Sequence, residues 1–587
     1  MIKLPDIKSE SYGTRITIVS FILLCWGIVT YIYSIYNTEV IINISASNTF
    51  GLLEELNILF MPSIILVVIS IILQTSFVKD RYFVASLLIL SVMIWGTPVF
   101  VETYPRMWDT YEVGYIANEI ARNGGFSLSW AENPFLRYIE FPLSLILYAI
   151  ILSLNDIELI TFLKYYPIIF TPLMFISFYV FFKKLSRNIE DARIASLIFL
   201  LVNSAFYNHA SPQSLALIIY LLFLTLVLDS KINVSKVSLL VIILIALTMM
   251  HPTTSAINII ILILLSISYF ISKEIDFEKA KQYFEITFLS IICFTFWFIY
   301  NAFYTFNIMI PLWASHLQNI LMIDAIKGGV SANTILLPQK IRASFFFTGM
   351  TISSIYTLYL WYKKRNEFHI YFAILGSVFL MMLLVHNVLG GTFGERVLFV
   401  GYIIISVAVA MIFHGFRKKI PNNGHIIHKI ILFLPLVFLI NTSTFYYSES
   451  IYYYSGNIIN GYSFVLDHND EATYALTYSM THMESPIKVF LALDTRKVNM
   501  LLTKKTQMVP WSEILSDLKR GGEFSLPQLI CLSDKTKKIA IQFGYQKEYK
   551  LLQNFIKERY SKIYDSPAIK TYSWTFPTTL PVILFSR

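Results

Sequence analysis

Long apolar runs, separated by short stretches that carry basic residues, dominate the chain. The first three runs cover about residues 15–36, 57–77 and 82–101. Each is close to the roughly 20 residues that an α-helix needs to cross the hydrocarbon core of a membrane. The pattern therefore predicts a polytopic α-helical membrane protein with about thirteen transmembrane helices. The remaining predicted spans lie at about 161–182, 192–208, 212–229, 237–250, 254–271, 285–304, 344–362, 369–388, 397–415 and 430–446.

The charges between the apolar runs predict an orientation in the cell membrane. The loop 37–55 contains acidic residues and no lysine or arginine, whereas cytoplasmic loops are enriched in basic residues. This pattern places the N-terminus in the cytoplasm, and both Asp109 and the C-terminus outside it. Three segments are expected: an N-terminal hairpin of spans over 1–81, a transmembrane domain over 82–446 and an extracytoplasmic soluble domain over 447–587.

One apolar run, 141–154, is only about 14 residues long, which is short for a membrane span. If it crossed the membrane, the next span would end outside at Lys183 and Lys184, against the charge rule. The run is therefore predicted to lie in the outer interface. A large outer loop over 102–160 follows from this reading.

The composition of the chain changes after Phe445, where charged residues become frequent and apolar runs become short. Alternating and β-branched segments predict strands, and one amphipathic segment predicts a helix. The tail is therefore expected to form an α/β domain with its own core. The predicted strands are 487–494, 528–532 and 579–586, and the predicted helix is 545–560.

The overall composition excludes a soluble globular protein, since 56% of the residues are hydrophobic and only 14% are charged. The net charge of +9 is explained by basic loops that face anionic lipid, and it requires no nucleic acid as a partner. Cys25, Cys293 and Cys531 lie far apart, so no disulfide framework is predicted.

A polar segment over 100–140 interrupts the apolar pattern and carries the strongest candidates for chemistry. Asp109 is predicted to cap a short helix, with Glu112 three residues later as in a capping box and Gly124 as its stop. A carboxylate at a membrane surface can accept a proton from an attacking hydroxyl, or hold a divalent metal. Asp109 and Glu112 are therefore predicted catalytic residues, with Asp109 also a metal ligand and Glu119 a substrate contact. The alternative is an ordinary capped helix at the interface.

Three further polar residues, Arg396, His251 and His209, lie at mouths or breaks of predicted spans, where polar groups are costly and often functional. Arg396 follows a glycine-rich turn and can grip a phosphate in two places, or it reaches lipid headgroups. His251 precedes the proline that breaks a span, and it either binds an anion or hydroxyl or satisfies freed carbonyls. His209 lies in an outer turn that the turn geometry also explains. All three are predicted substrate-binding residues.

Taken together, these features resemble the GT-C superfamily of integral-membrane glycosyltransferases, from about Trp108 to Leu228. An aspartate opens the first large outer loop, and its helix ends in Gly124, about fifteen residues on. An interfacial helix with Pro142 and a span that ends in bases follow. The order and spacing are similar to the mannosyl and aminoarabinose transferase branches, and the His-Pro break at 251–252 resembles a stretch in archaeal-looking members.

The resemblance implies a glycosyltransferase that uses a polyprenyl-phosphate or polyprenyl-diphosphate sugar at the outer membrane face. The acceptor would be a hydroxyl of a glycan, a protein or an envelope polymer, and the anomeric configuration would be inverted. By the same resemblance, Asp109 corresponds to the essential loop carboxylate and acts as the base, and Arg396 corresponds to a contact to the lipid phosphate. A divalent metal, Mg²⁺ or Mn²⁺, is the candidate cofactor, because the Asp109 carboxylate can hold one through its oxygens.

Two departures from the family pattern bear on the subfamily. The turn 211–213 lacks the acidic residue that many relatives place there, which argues against a metal site built from two carboxylates. The tail contains no WWDYG motif, which argues against the catalytic subunit of an oligosaccharyltransferase. Two other functions remain open: a transporter or flippase of lipid-linked sugars, and a non-catalytic envelope-assembly protein whose tail binds a partner. The outer loop and outer domain favour the enzyme.

Overall fold

In the computed structural model of the protein, most of the described residues lie in α-helices. The structure describes part of the chain. The described residues are 7–38, 49–132, 134–186, 188–202, 209–228, 234–271, 277–307, 311, 337–364, 399–412, 437–445, 475–477, 529–533, 550, 553–554, 560–565 and 569–574.

The helices follow one another closely, and short 3₁₀ segments at 51–54, 128–132 and 134–140 join some of them. Their order and bounds are α1 (Ile7–Tyr36), α2 (Phe60–Phe77), α3 (Asp80–Trp95), α4 (Thr97–Val101), α5 (Trp108–Asn123), α6 (Leu143–Asn155), α7 (Leu159–Ser186), α8 (Ile189–Val202), α9 (Pro212–Val227), α10 (Val234–Met250), α11 (Pro252–Ile271), α12 (Phe277–Tyr300), α13 (Leu337–Lys364) and α14 (Phe399–Ile412).

The described helices fit a multi-pass membrane protein. By length and composition, four helical segments among the described residues are long and apolar enough to cross a membrane: Gly13–Tyr36, α2, α7 and Lys281–Tyr300. The helices α6, α9, α10, α11 and α14 supply shorter apolar segments. The total of about thirteen spans remains a prediction, and the span predicted at 369–388 lies outside the described residues.

The predicted third span, 82–101, is broken into two helices at Gly96. A side chain there would meet the Val92 carbonyl oxygen, because an added Cβ would lie 2.6 Å from it and 3.3 Å from the Ile168 side chain. The glycine therefore allows α3 to approach α7 closely while the chain turns into α4. The short run predicted to lie in the interface forms α6, a helix of 13 residues.

Helix α8 lies at the centre of the helical bundle. Every residue from Asp191 to Val202 is buried, as expected for a helix surrounded by other helices. Its Phe199 stacks on Phe178 of α7 and makes an edge contact with Phe399 of α14. The N-terminal hairpin packs through Gly27, where an added Cβ would lie 2.6 Å from the Val67 side chain of α2.

An ionic junction at the start of α3 joins helices that are distant in sequence. Asp80 accepts hydrogen bonds from Lys183 Nζ at 2.6 Å, from Arg193 Nη2 at 3.1 Å and from the Tyr179 hydroxyl. Arg193 also donates to the Thr75 carbonyl oxygen at 2.8 Å. These contacts fix the relative positions of α2, α3, α7 and α8 at one end of the bundle.

The 3₁₀ segment 134–140 is anchored to the end of α12 through Glu140. The Glu140 carboxylate accepts from the Tyr304 backbone N–H at 2.7 Å and the Thr305 backbone N–H at 2.9 Å. Trp297 Nε1 donates to the Glu140 carbonyl oxygen at 3.0 Å. Since Glu140 is fully buried, these bonds satisfy a carboxylate that would otherwise be costly to bury.

The described part of the tail contains a four-stranded sheet. Its strands are β1 (Ala475–Thr477), β2 (Leu529–Ser533), β3 (Tyr560–Asp565) and β4 (Ile569–Trp574) in the order β1-β2-β4-β3. β1 runs parallel to β2, whereas β4 is antiparallel to both β2 and β3.

The sheet confirms one of the predicted tail elements and corrects another. The strand predicted at 528–532 forms β2, whereas Tyr560, predicted as the last residue of a helix, opens strand β3. A tight antiparallel pairing with β4 stabilises the extended form there, which local helical periodicity does not anticipate. The strands predicted at 487–494 and 579–586 lie outside the described residues, and the α/β domain remains a prediction.

Candidate active site

Helix α5 carries Asp109 in its first turn, not at the position before it. The helix begins at Trp108, and Met107 precedes it with a φ of 66° and no side-chain cap. The predicted N-cap role of Asp109 and the capping box with Glu112 are therefore wrong. The turn at Met107 starts the helix one residue before Asp109 and leaves the carboxylate available for another partner. Gly124, with a φ of 66°, ends the helix as predicted.

The apolar face of α5 holds it tightly against its neighbours. Val113, Ile116 and Ala117 are fully buried. An added Cβ at Gly114 would lie 2.6 Å from the Leu163 side chain of α7, so the glycine allows α5 to pack closely against α7 without moving that side chain. The Tyr111 hydroxyl donates to the Pro105 carbonyl oxygen at 2.7 Å and fixes the turn that leads into the helix.

Asp109 meets His209 across one hundred residues of sequence. The distance from Asp109 Oδ2 to His209 Nε2 is 3.0 Å, and the two side chains are 16% and 7% exposed. The other ring nitrogen of His209, Nδ1, is buried and has no hydrogen-bond partner in the described part of the chain. Asp109 and His209, which were predicted as separate site residues, therefore form one pair.

The position of His209 is set by a network of hydroxyl groups behind it. Ser211 caps α9, since its Oγ accepts from the Ser214 N–H at 3.3 Å. The Tyr148 hydroxyl of α6 donates to the Ser211 carbonyl oxygen at 3.1 Å, and Tyr166 of α7 bonds to the Ser214 hydroxyl. Both tyrosines are fully buried, so the turn that presents His209 is held from two neighbouring helices.

A buried ion pair, Glu102 with Arg106, lies between α4 and α5. Arg106 donates Nε to Glu102 Oε2 at 2.7 Å and Nη2 to Oε1 at 3.0 Å, a bidentate arrangement. Burial raises the pKa of the Glu102 carboxyl, and the charge and hydrogen bonds of Arg106 oppose that rise. Sequence reasoning missed this pair, although the four-residue spacing of opposite charges after a span was a usable signal.

The ion pair and His209 line one cleft, together with residues of α3 and α7. Its polar lining includes Glu102, Arg106, Lys164 and His209, and its apolar wall includes Trp95 and Pro167. The carboxylate of Asp109 is in contact with this lining through His209. The arrangement combines a carboxylate, an imidazole and two cations beside an apolar wall, which suits a substrate with an anionic and an apolar part.

The structure does not bring the other predicted site residues into contact with the Asp109–His209 pair among the described residues. Glu119 pairs with Arg122 at 3.3 Å on the outer surface of α5, about 15 Å along the helix axis from Asp109 at 1.5 Å per residue. His251 caps α11, since its Nδ1 accepts from the Thr254 N–H at 3.3 Å and bonds the Thr254 hydroxyl at 2.8 Å. Glu112 is buried one turn from Asp109, and Arg396 lies outside the described residues.

The donor set offers a partial site for a divalent cation. Asp109 and His209 provide a carboxylate oxygen and an imidazole nitrogen that lie together. The described residues contain no cluster of three or more His, Cys, Asp or Glu side chains that would enclose a metal. Mg²⁺ is often held by one or two carboxylates together with substrate phosphates. Of this pair, the Asp109 carboxylate has that chemistry, whereas His209 Nε2 already faces Asp109 Oδ2.

Comparison with known proteins gives a likeness of fold. No family model matches the chain, and no curated protein matches it. Among solved structures, the oligosaccharyltransferase of Archaeoglobus fulgidus with a tethered acceptor peptide containing the NVT sequon matches with a TM-score of 0.50 and 11% identity, over 85% of this chain and 74% of that chain. Its apo form gives a TM-score of 0.50 and 12% identity, over 84% and 75% of the two chains.

A third match is the archaeal oligosaccharyltransferase AglB from Archaeoglobus fulgidus in complex with an inhibitory peptide and a dolichol-phosphate. It gives a TM-score of 0.51 and 10% identity, over 84% of this chain and 74% of that chain. At this identity the likeness concerns the fold. The chain therefore has a fold similar to that of an archaeal oligosaccharyltransferase. The predicted resemblance to GT-C proteins is confirmed at this level.

Proposed function

We propose that the protein is a membrane glycosyltransferase that moves a sugar from a polyprenyl-phosphate or polyprenyl-diphosphate donor to an acceptor hydroxyl at the outer membrane face. The observation that carries the proposal is the Asp109–His209 pair, 3.0 Å apart, beside a cleft with cationic and apolar walls. The fold supports it, because the structural neighbour is a transferase whose complex contains dolichol-phosphate, a polyprenyl phosphate.

In this proposal, Asp109 accepts the proton of the acceptor hydroxyl as that oxygen attacks the anomeric carbon. The bond from that carbon to the donor phosphate breaks, the configuration inverts, and the phosphate leaves with its electron pair. His209 holds the Asp109 carboxylate in position through the hydrogen bond to Oδ2. General base catalysis of this kind is typically worth 10²- to 10⁴-fold in rate. Glu112, three residues on and on the same helix face, is the second candidate base.

The predicted divalent cation, Mg²⁺ or Mn²⁺, would be held by Asp109 together with oxygens of the donor phosphate. Bound there, it would stabilise the negative charge of the leaving phosphate. Arg396 remains the proposed second contact to that phosphate. His251 and Glu119 remain proposed substrate contacts, although their observed partners lie on their own helices.

The proposed organisation keeps the three predicted segments, 1–81, 82–446 and 447–587. The N-terminus is in the cytoplasm, and the cleft and the tail face the outside. The acceptor is a glycan, a protein or an envelope polymer. A peptide amide is a second candidate acceptor, since the structural neighbour has been captured with an acceptor peptide, but the chain contains no WWDYG motif.

The test is sugar transfer by the purified protein in liposomes. Radiolabelled polyprenyl-phosphate and polyprenyl-diphosphate sugars would be supplied with hydroxyl acceptors and, separately, with a peptide containing an NVT sequon. Label in a hydroxyl acceptor supports the proposal, and label in the peptide alone would assign the amide acceptor. Movement of the donor across the bilayer without any product would contradict the proposal and favour a flippase. Binding of an envelope partner without either activity would favour an assembly protein.

A further inference from the structure

We propose that Lys164, with Trp95, forms the subsite that recognises the phosphate of an amphiphilic donor. This inference rests on the proposed function and names the residues that read the donor headgroup. Both residues line the cleft beside His209, and sequence reasoning singled out neither of them.

Lys164 is a cation that forms no ion pair with a carboxylate among the described residues. It lies in the sixth position of α7, a largely apolar helix, where a positive charge is costly unless it has a function or reaches the interface. Its Nζ lies 6.0 Å from the centre of the Tyr165 ring. Its charge also acts on Glu102, a carboxylate that is already paired with Arg106. This charge is therefore available to an anion in the cleft.

The charged side chains that line the cleft carry a net positive charge. Glu102 and Arg106 neutralise one another through a bidentate ion pair, so neither supplies the net charge. Lys164 adds one positive charge beside them, on the side of the cleft that α7 provides. A monoanionic group, such as a phosphodiester, matches that charge.

The indole N–H of Trp95 is a second group in the cleft that lacks a hydrogen-bond partner in the described part of the chain. Its side chain is 2% exposed, and its indole Nε1 has no hydrogen-bond partner among the described residues. Buried polar groups in proteins nearly always have a partner, and an indole N–H can only donate. An acceptor oxygen in the cleft would complete it, and a phosphate oxygen meets both this requirement and that of Lys164.

The apolar residues of the cleft lining favour an anion that is attached to an apolar chain. Pro98, Val99 and Pro167 form an apolar wall next to the polar groups. A free phosphate would gain nothing from these surfaces, whereas an isoprenoid chain would bury apolar area against them. The chemistry that fits the cleft is therefore a phosphate attached to a lipid chain.

The experiment measures binding of polyprenyl phosphate to the full-length protein in detergent by native mass spectrometry, without turnover. Lys164→Gln should weaken binding about tenfold, and Trp95→Phe about fivefold, because each removes a donor to a charged acceptor. Lys164→Arg keeps the charge and should bind within about threefold of the wild type. Lys184→Gln, the same change at the other end of α7, should leave binding unchanged.

Further binding measurements distinguish a lipid phosphate from free phosphate as the ligand. They also distinguish a failure of the subsite from a failure of the proposed function. Inorganic phosphate that competes as well as the lipid at equal concentration would overturn the lipid assignment. Uncharged polyprenol that binds as tightly as polyprenyl phosphate, or Lys164→Gln binding at wild-type strength, would overturn the subsite. Asp109→Asn should bind the lipid like the wild type. Wild-type protein that binds the lipid through Lys164 but transfers no sugar would refute the proposed function and leave the subsite standing.

Discussion

Two polar clusters lie at opposite ends of helix α3, and they differ in how completely their groups are paired. At the first residue of the helix, the Asp80 carboxylate receives hydrogen bonds from Lys183, Tyr179 and Arg193. At the last residue, Trp95 faces a cleft in which its own Nε1 and His209 Nδ1 have no partner within the described ranges.

The difference distinguishes a cluster that folding explains from a cluster that we propose to be functional. The Asp80 junction satisfies its charges within the protein and joins four helices, so folding accounts for it. The cleft holds buried groups that the fold alone does not satisfy, and such groups point to a ligand. Replacing a residue at one end of α3 should therefore change stability, whereas a replacement at the other end should change binding or rate.

The largest effect is expected at Asp109. Asp109→Asn keeps the shape of the side chain but cannot accept the acceptor proton, so sugar transfer should fall about 10²- to 10⁴-fold. Initial rates with radiolabelled donor would measure it. Asp156→Asn is the matched control, because Asp156 lies in a left-handed conformation that asparagine also adopts, and it should transfer at the wild-type rate. An equal loss in the control would contradict the assignment.

Removal of divalent cations should have the next largest effect. Dialysis against a chelator should lower transfer on the order of hundredfold, since a cation at a leaving phosphate contributes several kcal/mol. Addition of Mn²⁺ or Mg²⁺ should restore the rate. Full activity after chelation, with metal content confirmed as absent by elemental analysis, would remove the cation from the account.

A smaller loss is expected at His209. His209→Ala removes the group that holds the Asp109 carboxylate at 3.0 Å, and residues in such supporting positions typically cost 10- to 100-fold. The effect should appear in kcat with little change in the thermal midpoint. A large fall in the thermal midpoint without a change in kcat would assign His209 to the scaffold and weaken the contrast between the two clusters.

At the other end of α3, Asp80→Asn should act on stability. Arg193 is 5% exposed and would keep a buried charge without its carboxylate, which we expect to cost about 2 kcal/mol given the partial exposure of Asp80. Thermal unfolding in detergent would record the loss. The rate per folded molecule should remain that of the wild type, and a selective loss of rate would show that this junction also takes part in catalysis.

The smallest effect concerns pH. Burial raises the pKa of the Asp80 carboxyl, but hydrogen bonds from Lys183, Tyr179 and Arg193 outweigh it and hold that pKa below its ordinary value. A lowered folded-state pKa stabilises the protein above the unfolded pKa, about 3.9 for Asp, and this contribution is lost as the pH falls through the folded value. Wild-type stability should therefore fall below about pH 4, and Asp80→Asn should lack this component.

The sequence predicted the parts of the molecule that depend on local pattern. Apolar runs of sufficient length correspond to α1, α2 and α7, and Gly124 ends α5 as expected. The break at Gly96 was not predicted, although Pro98 in the first turn of α4 was a local signal for it. Tyr560 was predicted in a helix, whereas pairing with β4 holds it in a strand.

The sequence predicted two residues of the candidate site, but it did not predict that they are in contact. Asp109 and His209 were both named, but their contact joins segments one hundred residues apart and could not be predicted from local pattern. Trp95 and Lys164 went unnoticed, because a tryptophan and a lysine near the ends of membrane helices are ordinary interfacial residues. Their importance depends on the cleft that α3 and α7 form together.

The most direct test of the contrast is one transfer assay on four purified proteins: wild type, Asp109→Asn, Asp156→Asn and Asp80→Asn. Each receives the same radiolabelled polyprenyl-phosphate sugar, and each rate is divided by the folded fraction from thermal unfolding. The account predicts transfer by the wild type, Asp156→Asn and Asp80→Asn, with loss in Asp109→Asn alone. Equal transfer by Asp109→Asn and the wild type would contradict it.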